Sequence, residues 1–324
     1  MFKKLLITLG TILIIYAVFY FYPTSKNNNM IIGVSFDSGY AEYLGLDPKV
    51  VFDKIIKDWN FKYLRLSAHW DAVMPENGEY NFKELDYYFN LAEKNNVKVV
   101  LAVGQKTPRW PECHAPAWTK NLSDTYYFPV LNNYIKTVAE HFKNSSALEM
   151  MQVENEPFLA FGEKCRPMTS ERLDAEVAAA RTGNKPILVT DSGELSFWRK
   201  TAQAGDWFGT TLYRVVWNKY LGYFTYDWLP ANYYRLKLWL NGRGNDNFMV
   251  AELQAEPWLP GTGVPDTTLV EQSKSMSVSR LQKNITYARS LGAKRAYLWG
   301  AEWWVWAQNQ GAGDMSDYIK ELSK

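Results

Sequence analysis

The chain has 324 residues, 47% of them hydrophobic and 22% charged, which excludes wholesale disorder. Its 36 Lys and Arg against 34 Asp and Glu leave a formal net charge of +2, too balanced for a nucleic-acid binder. Two cysteines exclude a disulfide scaffold and a four-thiolate zinc site, and three histidines (His69, His114, His141) argue against a His-rich metal centre, so no metal or other cofactor is expected.

Residues 1–29 read as an address. Lys3 and Lys4 precede an uncharged run of 18 residues, 5–22, that leaves through Tyr20-Phe21-Tyr22-Pro23 with no small-x-small cleavage site. At 1.5 Å per residue such a helix spans about 27 Å, close to the hydrocarbon thickness of a bilayer. Lysines stay cytoplasmic and aromatic residues favour the far interface. The expectation is an N-terminal transmembrane helix, a short polar tether over 24–29, and one domain, 30–324, outside the cytoplasm at the cell membrane. Secretion after signal cleavage is the alternative.

From residue 30 onward, short apolar runs alternate with helical stretches. The runs are 31–36, 63–66, 97–103, 149–153, 187–190, 208–212, 248–252 and 295–299. Helical spacing marks 50–59, 82–95, 127–143, 169–182, 195–203, 230–241, 269–291 and 317–324, with Val50, Val51, Ile55, Ile56 and Trp59 on one buried face of the first. Continuous apolar strands, each followed by a helix, imply parallel strands covered on the outside. Eight such units predict an α/β fold, a single (β/α)8 barrel of the TIM type. An open doubly wound sheet is the competitor, but no glycine-rich phosphate fingerprint follows Gly33-Val34-Ser35-Phe36.

In such a barrel chemistry belongs at the C-terminal strand ends. There the chain places Arg65, His69 and Trp70; Gln105, Arg109 and Trp110; Asn155 and Glu156; Asp191 and Glu194; Tyr213; Glu252; and Trp299 with Glu302, Trp303 and Trp304 beyond. Aromatic residues are 16% of the chain, and a flat ring buries the C–H face of a sugar without demanding hydrogen bonds. Glu256 competes with Glu252, but alternation puts Phe248, Val250 and Glu252 on one strand face, with Glu256 in the loop beyond. Glu154 reads as a structural carboxylate two positions below Glu156. His69 is balanced between a sugar contact and a structural role.

These residues resemble the clan of retaining (β/α)8 glycoside hydrolases, marked by Asn-Glu ending strand four and Glu ending strand seven, as in cellulases and β-galactosidases. Met151-Gln152-Val153-Glu154-Asn155-Glu156-Pro157 is similar to the acid/base strand and Phe248-Met249-Val250-Ala251-Glu252 to the nucleophile strand. Arg65 followed by Pro75-Glu76-Asn77-Gly78-Glu79-Tyr80-Asn81-Phe82 is similar to the second-strand segment, and Tyr213 and Trp299 match a tyrosine of strand six and a tryptophan of strand eight. The resemblance covers nearly all of 31–306 and implies cleavage of a β-linked saccharide by double displacement, with Glu156 as acid/base and Glu252 as nucleophile. Substrate contacts are expected from Arg65, Asn155, Tyr213 and Trp299 by the resemblance, and from His69, Trp70, Trp110 and Trp303 by their place at or beyond strand ends. A transglycosylase would use the same residues; a surface carbohydrate-binding protein on a degenerate barrel would lack one of the two carboxylates. Cys113 and Cys165 fall in neighbouring loops, where an exported protein permits a disulfide; two free thiols are the alternative.

Overall fold

The computed structural model describes residues 10, 11, 16, 17, 19, 20, 22–24, 26–261 and 263–323. Eight parallel strands close into a barrel: β1 (Ile31–Ser35), β2 (Tyr63–Ser67), β3 (Lys98–Val103), β4 (Leu148–Val153), β5 (Ile187–Asp191), β6 (Trp207–Leu212), β9 (Phe248–Gln254) and β10 (Arg295–Trp299). A small antiparallel hairpin, β7 (Val215–Asn218) with β8 (Gly222–Thr225), interrupts the order after β6. The helices are α1 (Ser38–Tyr43), α2 (Pro48–Asp53), α3 (Trp70–Val73), α4 (Lys83–Lys94), α5 (Asp124–Phe142), α6 (Ser170–Ala180), α7 (Ala231–Leu240), α8 (Leu269–Ser273), α9 (Val278–Ser290), α10 (Ala301–Asn309) and α11 (Asp314–Leu322).

The barrel interior begins with a small apolar layer of Val100, Met150, Leu188, Met249 and Tyr297. The larger core lies between strands and helices, where Leu64, Leu66, Val99, Leu101 and Val250 meet the inner faces of the helices. This division corrects the alternation expected for the seventh barrel strand. Phe248 packs outward on Trp198 and Phe208, whereas Met249 points into the barrel. A register shift against β6, where Thr210 faces Val250 but Thr211 faces Glu252, inserts one residue. That insertion returns Glu252 to the interior.

Three other elements differ from expectation. The helix anticipated over 195–203 is a run of turns. There Asp191 accepts bonds from Ser192 N–H and Thr201 Oγ1, and the Trp198 ring donates to Ser192 O, so local side-chain bonds displace the helical ladder. The stretch 269–291 is two helices rather than one, because Ser277 caps α9 by accepting from Arg280 N–H. Residues 301–309, outside the stretches marked by helical spacing, form α10, which buries Trp303, Trp304 and Trp306.

The expected anchor over 5–22 lies largely outside the described residues. Among the described residues no helix is long and apolar enough to cross a membrane. Where the segment meets the barrel, Asn232 of α7 donates to the carbonyls of Phe19 and Tyr22, at 2.8 and 3.0 Å.

Below the mouth, Glu154 and Glu176 of α6 are both fully buried, and burial raises both carboxyl groups, Glu154 to about 7. A carboxyl raised in the folded state keeps a proton that the unfolded chain loses near 4.5, so stability falls as pH climbs from there toward the folded value. Glu176→Gln removes this penalty: its melting temperature should exceed wild type at pH 8 and converge with it near pH 5, read by thermal denaturation across pH.

Candidate active site

Arg65 organises the floor of the site. It rises from β2 into the barrel, 1% exposed, and every arm of its guanidinium is engaged. Nε donates to Gln152 Oε1 at 2.7 Å, one terminal nitrogen to Glu252 Oε1 at 2.8 Å, and the other to Asn155 Oδ1 at 2.9 Å. The second oxygen of Glu252 accepts from the Tyr213 hydroxyl at 2.8 Å. Burial and then the Glu252 charge hold the Tyr213 phenol well above its ordinary range, so it stays a donor. Glu252 therefore has a cation on one oxygen and a phenol on the other.

Glu156 has a different setting. Its backbone is left-handed, with φ of +49°, and its N–H donates to Thr190 Oγ1 at 3.2 Å. Its Oε1 accepts from Thr211 Oγ1 at 2.8 Å, and Thr211 is the residue paired with Glu252 across β6 and β9. Burial, then the charges of Glu252 and Glu112, push its carboxyl up to about 8. Lys106 Nζ fastens the following loop by donating to the carbonyls of Glu156 and Leu159. Below, Glu154 accepts from the N–H groups of Gln105 and Lys106, as a buried structural carboxylate. Gly104, with φ of +134°, is required there: a Cβ would lie 2.4 Å from Glu154 Oε1.

The structure thus brings together Arg65, Asn155, Glu156, Tyr213 and Glu252. Trp299 lines a small pocket with Asp37, Arg65 and Arg109, whose guanidinium covers the ring at 4.1 Å. Trp110 stands 70% exposed on the rim. Cys113 and Cys165 are joined in a disulfide across a separation of 52 residues.

Three expectations need correction. Trp70 is fully buried, stacked on Tyr134 and edge-on to Tyr127, and presents no face to a ligand. Trp303 is likewise buried in α10, its ring N–H donating to Gln272 Oε1. His69 has both ring nitrogens taken, by Asp37 at 2.6 Å and Thr107 at 2.7 Å, with its ring stacked on His114. Burial alone would raise Asp37 and lower His69, but their mutual attraction prevails, taking Asp37 to about 2 and His69 upward. The pair is a structural ion pair in the wall. Glu256, the competitor of Glu252, is bound by Arg109, which also holds Glu302.

Sequence reasoning missed Gln152, Thr211 and Glu112. The first two carried a faint signal as polar residues inside apolar strands; Glu112 carried none.

Removing the Thr211 hydroxyl removes a bond that favours the ionised form of Glu156. Thr211→Val should raise the Glu156 titration by about one unit, the worth of a hydrogen bond to a charged group. Carbon-13 NMR of the Glu156 carboxyl checks this.

Residues 46–176, less than half of the chain, match Glycosyl hydrolase family 10. The fold is shared with a β-galactosidase from Rahnella sp. R3, at a TM-score of 0.61 and 14% identity over 93% of this chain; the chain spans 56% of that protein. It is shared with xylanase 10B from Thermotoga maritima, at 0.55 and 17% identity over 84% of this chain and 83% of the other. An exo-β-1,4-mannosidase from Opitutaceae bacterium strain TAV5 gives 0.59 and 14% over 91% of this chain and 59% of the other. At these identities the solved structures establish the barrel, while the sequence match carries the enzyme class. The segment match and the shared barrel support an O-glycosyl hydrolase, similar to the (β/α)8 glycoside hydrolases.

Proposed function

We propose that the protein cleaves O-glycosidic bonds of a β-linked oligo- or polysaccharide by retaining double displacement. The observation that carries this reading is the pair of interior carboxyl groups with opposed surroundings. Glu252 accepts from Arg65 and Tyr213, whereas Glu156 is raised to about 8. The β-galactosidase and the exo-β-1,4-mannosidase that share the fold act on β-glycosides by name, which supports the β-linkage.

In the first step Glu156 gives its proton to the glycosidic oxygen as that bond to the anomeric carbon breaks. Glu252 forms the new bond to the carbon from the opposite face, and Arg65 and Tyr213 keep its carboxylate aimed. Esterified Glu252 carries no charge, so one of the influences raising Glu156 disappears. Glu156 then takes a proton from water, and the hydroxyl oxygen displaces Glu252. Asn155 reaches the substituent on C2, and the Trp299 ring lines a small pocket with Asp37, Arg65 and Arg109. We also propose that the run 5–22 anchors the domain outside the cytoplasm; alkaline carbonate extraction of membranes should leave the full chain in the pellet.

The test is hydrolysis of aryl β-glycosides and β-glucans by the full chain beside Glu156→Gln and Glu252→Gln. Both substitutions should lower kcat by at least about 1000-fold. Azide should rescue Glu252→Ala with a glycosyl azide of inverted configuration. Wild type inert on every substrate, yet binding a glycan as tightly as both variants, would sink the reading. Because the acid form of Glu156 is required, kcat/KM should fall as pH rises through about 8.

A further inference from the structure

The two-carboxylate mechanism leaves a third carboxylate in the site unused. Glu112 is only 8% exposed, and its backbone is fixed on several sides. Its N–H donates to Arg109 O at 2.7 Å, its carbonyl accepts from Thr107 N–H at 3.1 Å, and its φ is +72°. Gly162, at φ of +77°, packs against its stem, where a Cβ would fall 2.6 Å from Glu112 Cβ and Cγ. The next residue, Cys113, is tied to Cys165. A side chain held this rigidly keeps its carboxylate in one place.

That place is next to Asn155, which shares the Arg65 guanidinium with the nucleophile Glu252. Asn155 turns its carbonyl to Arg65 and its amide to Glu112, reaching Oε2 at a long 3.4 Å. After burial, the Glu252 charge is the largest influence on Glu112, raising it to about 7, and Glu112 in turn raises Glu156. Among the described residues Glu112 makes no ion pair; Lys106, the nearest buried amine by influence, has its Nζ on backbone carbonyls. Glu112 is thus a buried carboxyl with no cation bonded to it among the described residues, and such a group carries its charge at low cost only when a ligand supplies the cation.

C2 is bonded to the anomeric carbon that Glu252 attacks, and Asn155 is the residue assigned to its substituent, so a carboxyl in contact with the Asn155 amide lies toward C2. We propose that Glu112 is a specificity determinant that pairs with an ammonium at C2, selecting a β-linked glycan whose cleaved residue is a free 2-amino sugar. This rests on the glycoside hydrolase reading of the site. A 2-hydroxyl offers Glu112 only a neutral donor, and a 2-acetamido group loses the charge and adds bulk against Asn155.

The experiment compares kcat/KM of the full chain at about pH 7 on aryl β-glycosides bearing ammonium, hydroxyl or hydrogen at C2, in the gluco and galacto series, for wild type and Glu112→Gln. Wild type should favour the 2-amino substrate, and Glu112→Gln should lose about 100-fold or more on it, as when one partner of a buried charge pair is removed. The loss on the 2-deoxy substrate should stay below about 3-fold. Inhibition of wild type by free 2-amino sugar against its parent sugar gives a second readout independent of the variant's folding, with at least about 10-fold tighter binding expected for the amine. Equal losses on all three substrates, or no preference for the amine by wild type, overturns the role of Glu112 while leaving hydrolysis intact. Wild type inert on all three overturns hydrolysis and this proposal together.

Discussion

The guanidinium of Arg65 is the constraint on which the rest of the site depends. It is a fully buried cation, and burying a cation is tolerable only when its fork is satisfied in geometry as well as in charge. Its three partners come from β4, the loop after β4, and β9, so one planar group fixes the relative height of the strands that carry both candidate catalytic carboxylates. A lysine would keep the charge and lose this triangulation, since an ammonium is a point donor on a flexible stem. The register shift in β9 belongs to the same design, because without it the Glu252 side chain would face the helices instead of Arg65.

Around that cation the interior holds an unusual number of acids. Glu112, Glu154, Glu156 and Glu302 are all raised to about 7 or 8, in each case by burial first. Desolvation thus sets the overall level, and specific neighbours decide which acid does what. Glu154 is committed to two backbone N–H groups and Glu302 to Arg109, so both are spent on structure. Glu156 has a threonine hydroxyl as its side-chain partner and is free to exchange a proton.

Much of this was legible in the sequence, for reasons that also explain the failures. Strands buried on both faces write continuous apolar runs, so the barrel and the strand ends bearing Glu156 and Glu252 could be found by counting. Alternation along β9 favoured Glu252 by the wrong face, because a one-residue insertion leaves no trace in a short apolar run. Trp70 and Trp303 followed strand ends as a ligand platform does, but position along the chain says nothing of whether a short helix turns the ring inward. Glu112 lies in a loop whose path depends on a covalent link to a residue 52 positions away, and no local pattern encodes that closure. The hairpin after β6 was invisible for a similar reason: Val215–Asn218 and Gly222–Thr225 are too short to stand out from a loop.

The bond between Cys113 and Cys165 ties the chemistry of the mouth to the place where the chain matures. The hydrogen bonds that hold Arg65, Glu156 and Glu252 are available to the chain wherever it folds. The rim that presents Trp110 and Glu112 is closed by an oxidation, which reducing compartments oppose. A chain kept among reduced thiols would own a complete barrel with an unfastened entrance. On the proposed reading of Glu112, the redox state of the surroundings would then act on substrate choice before it acted on catalytic power.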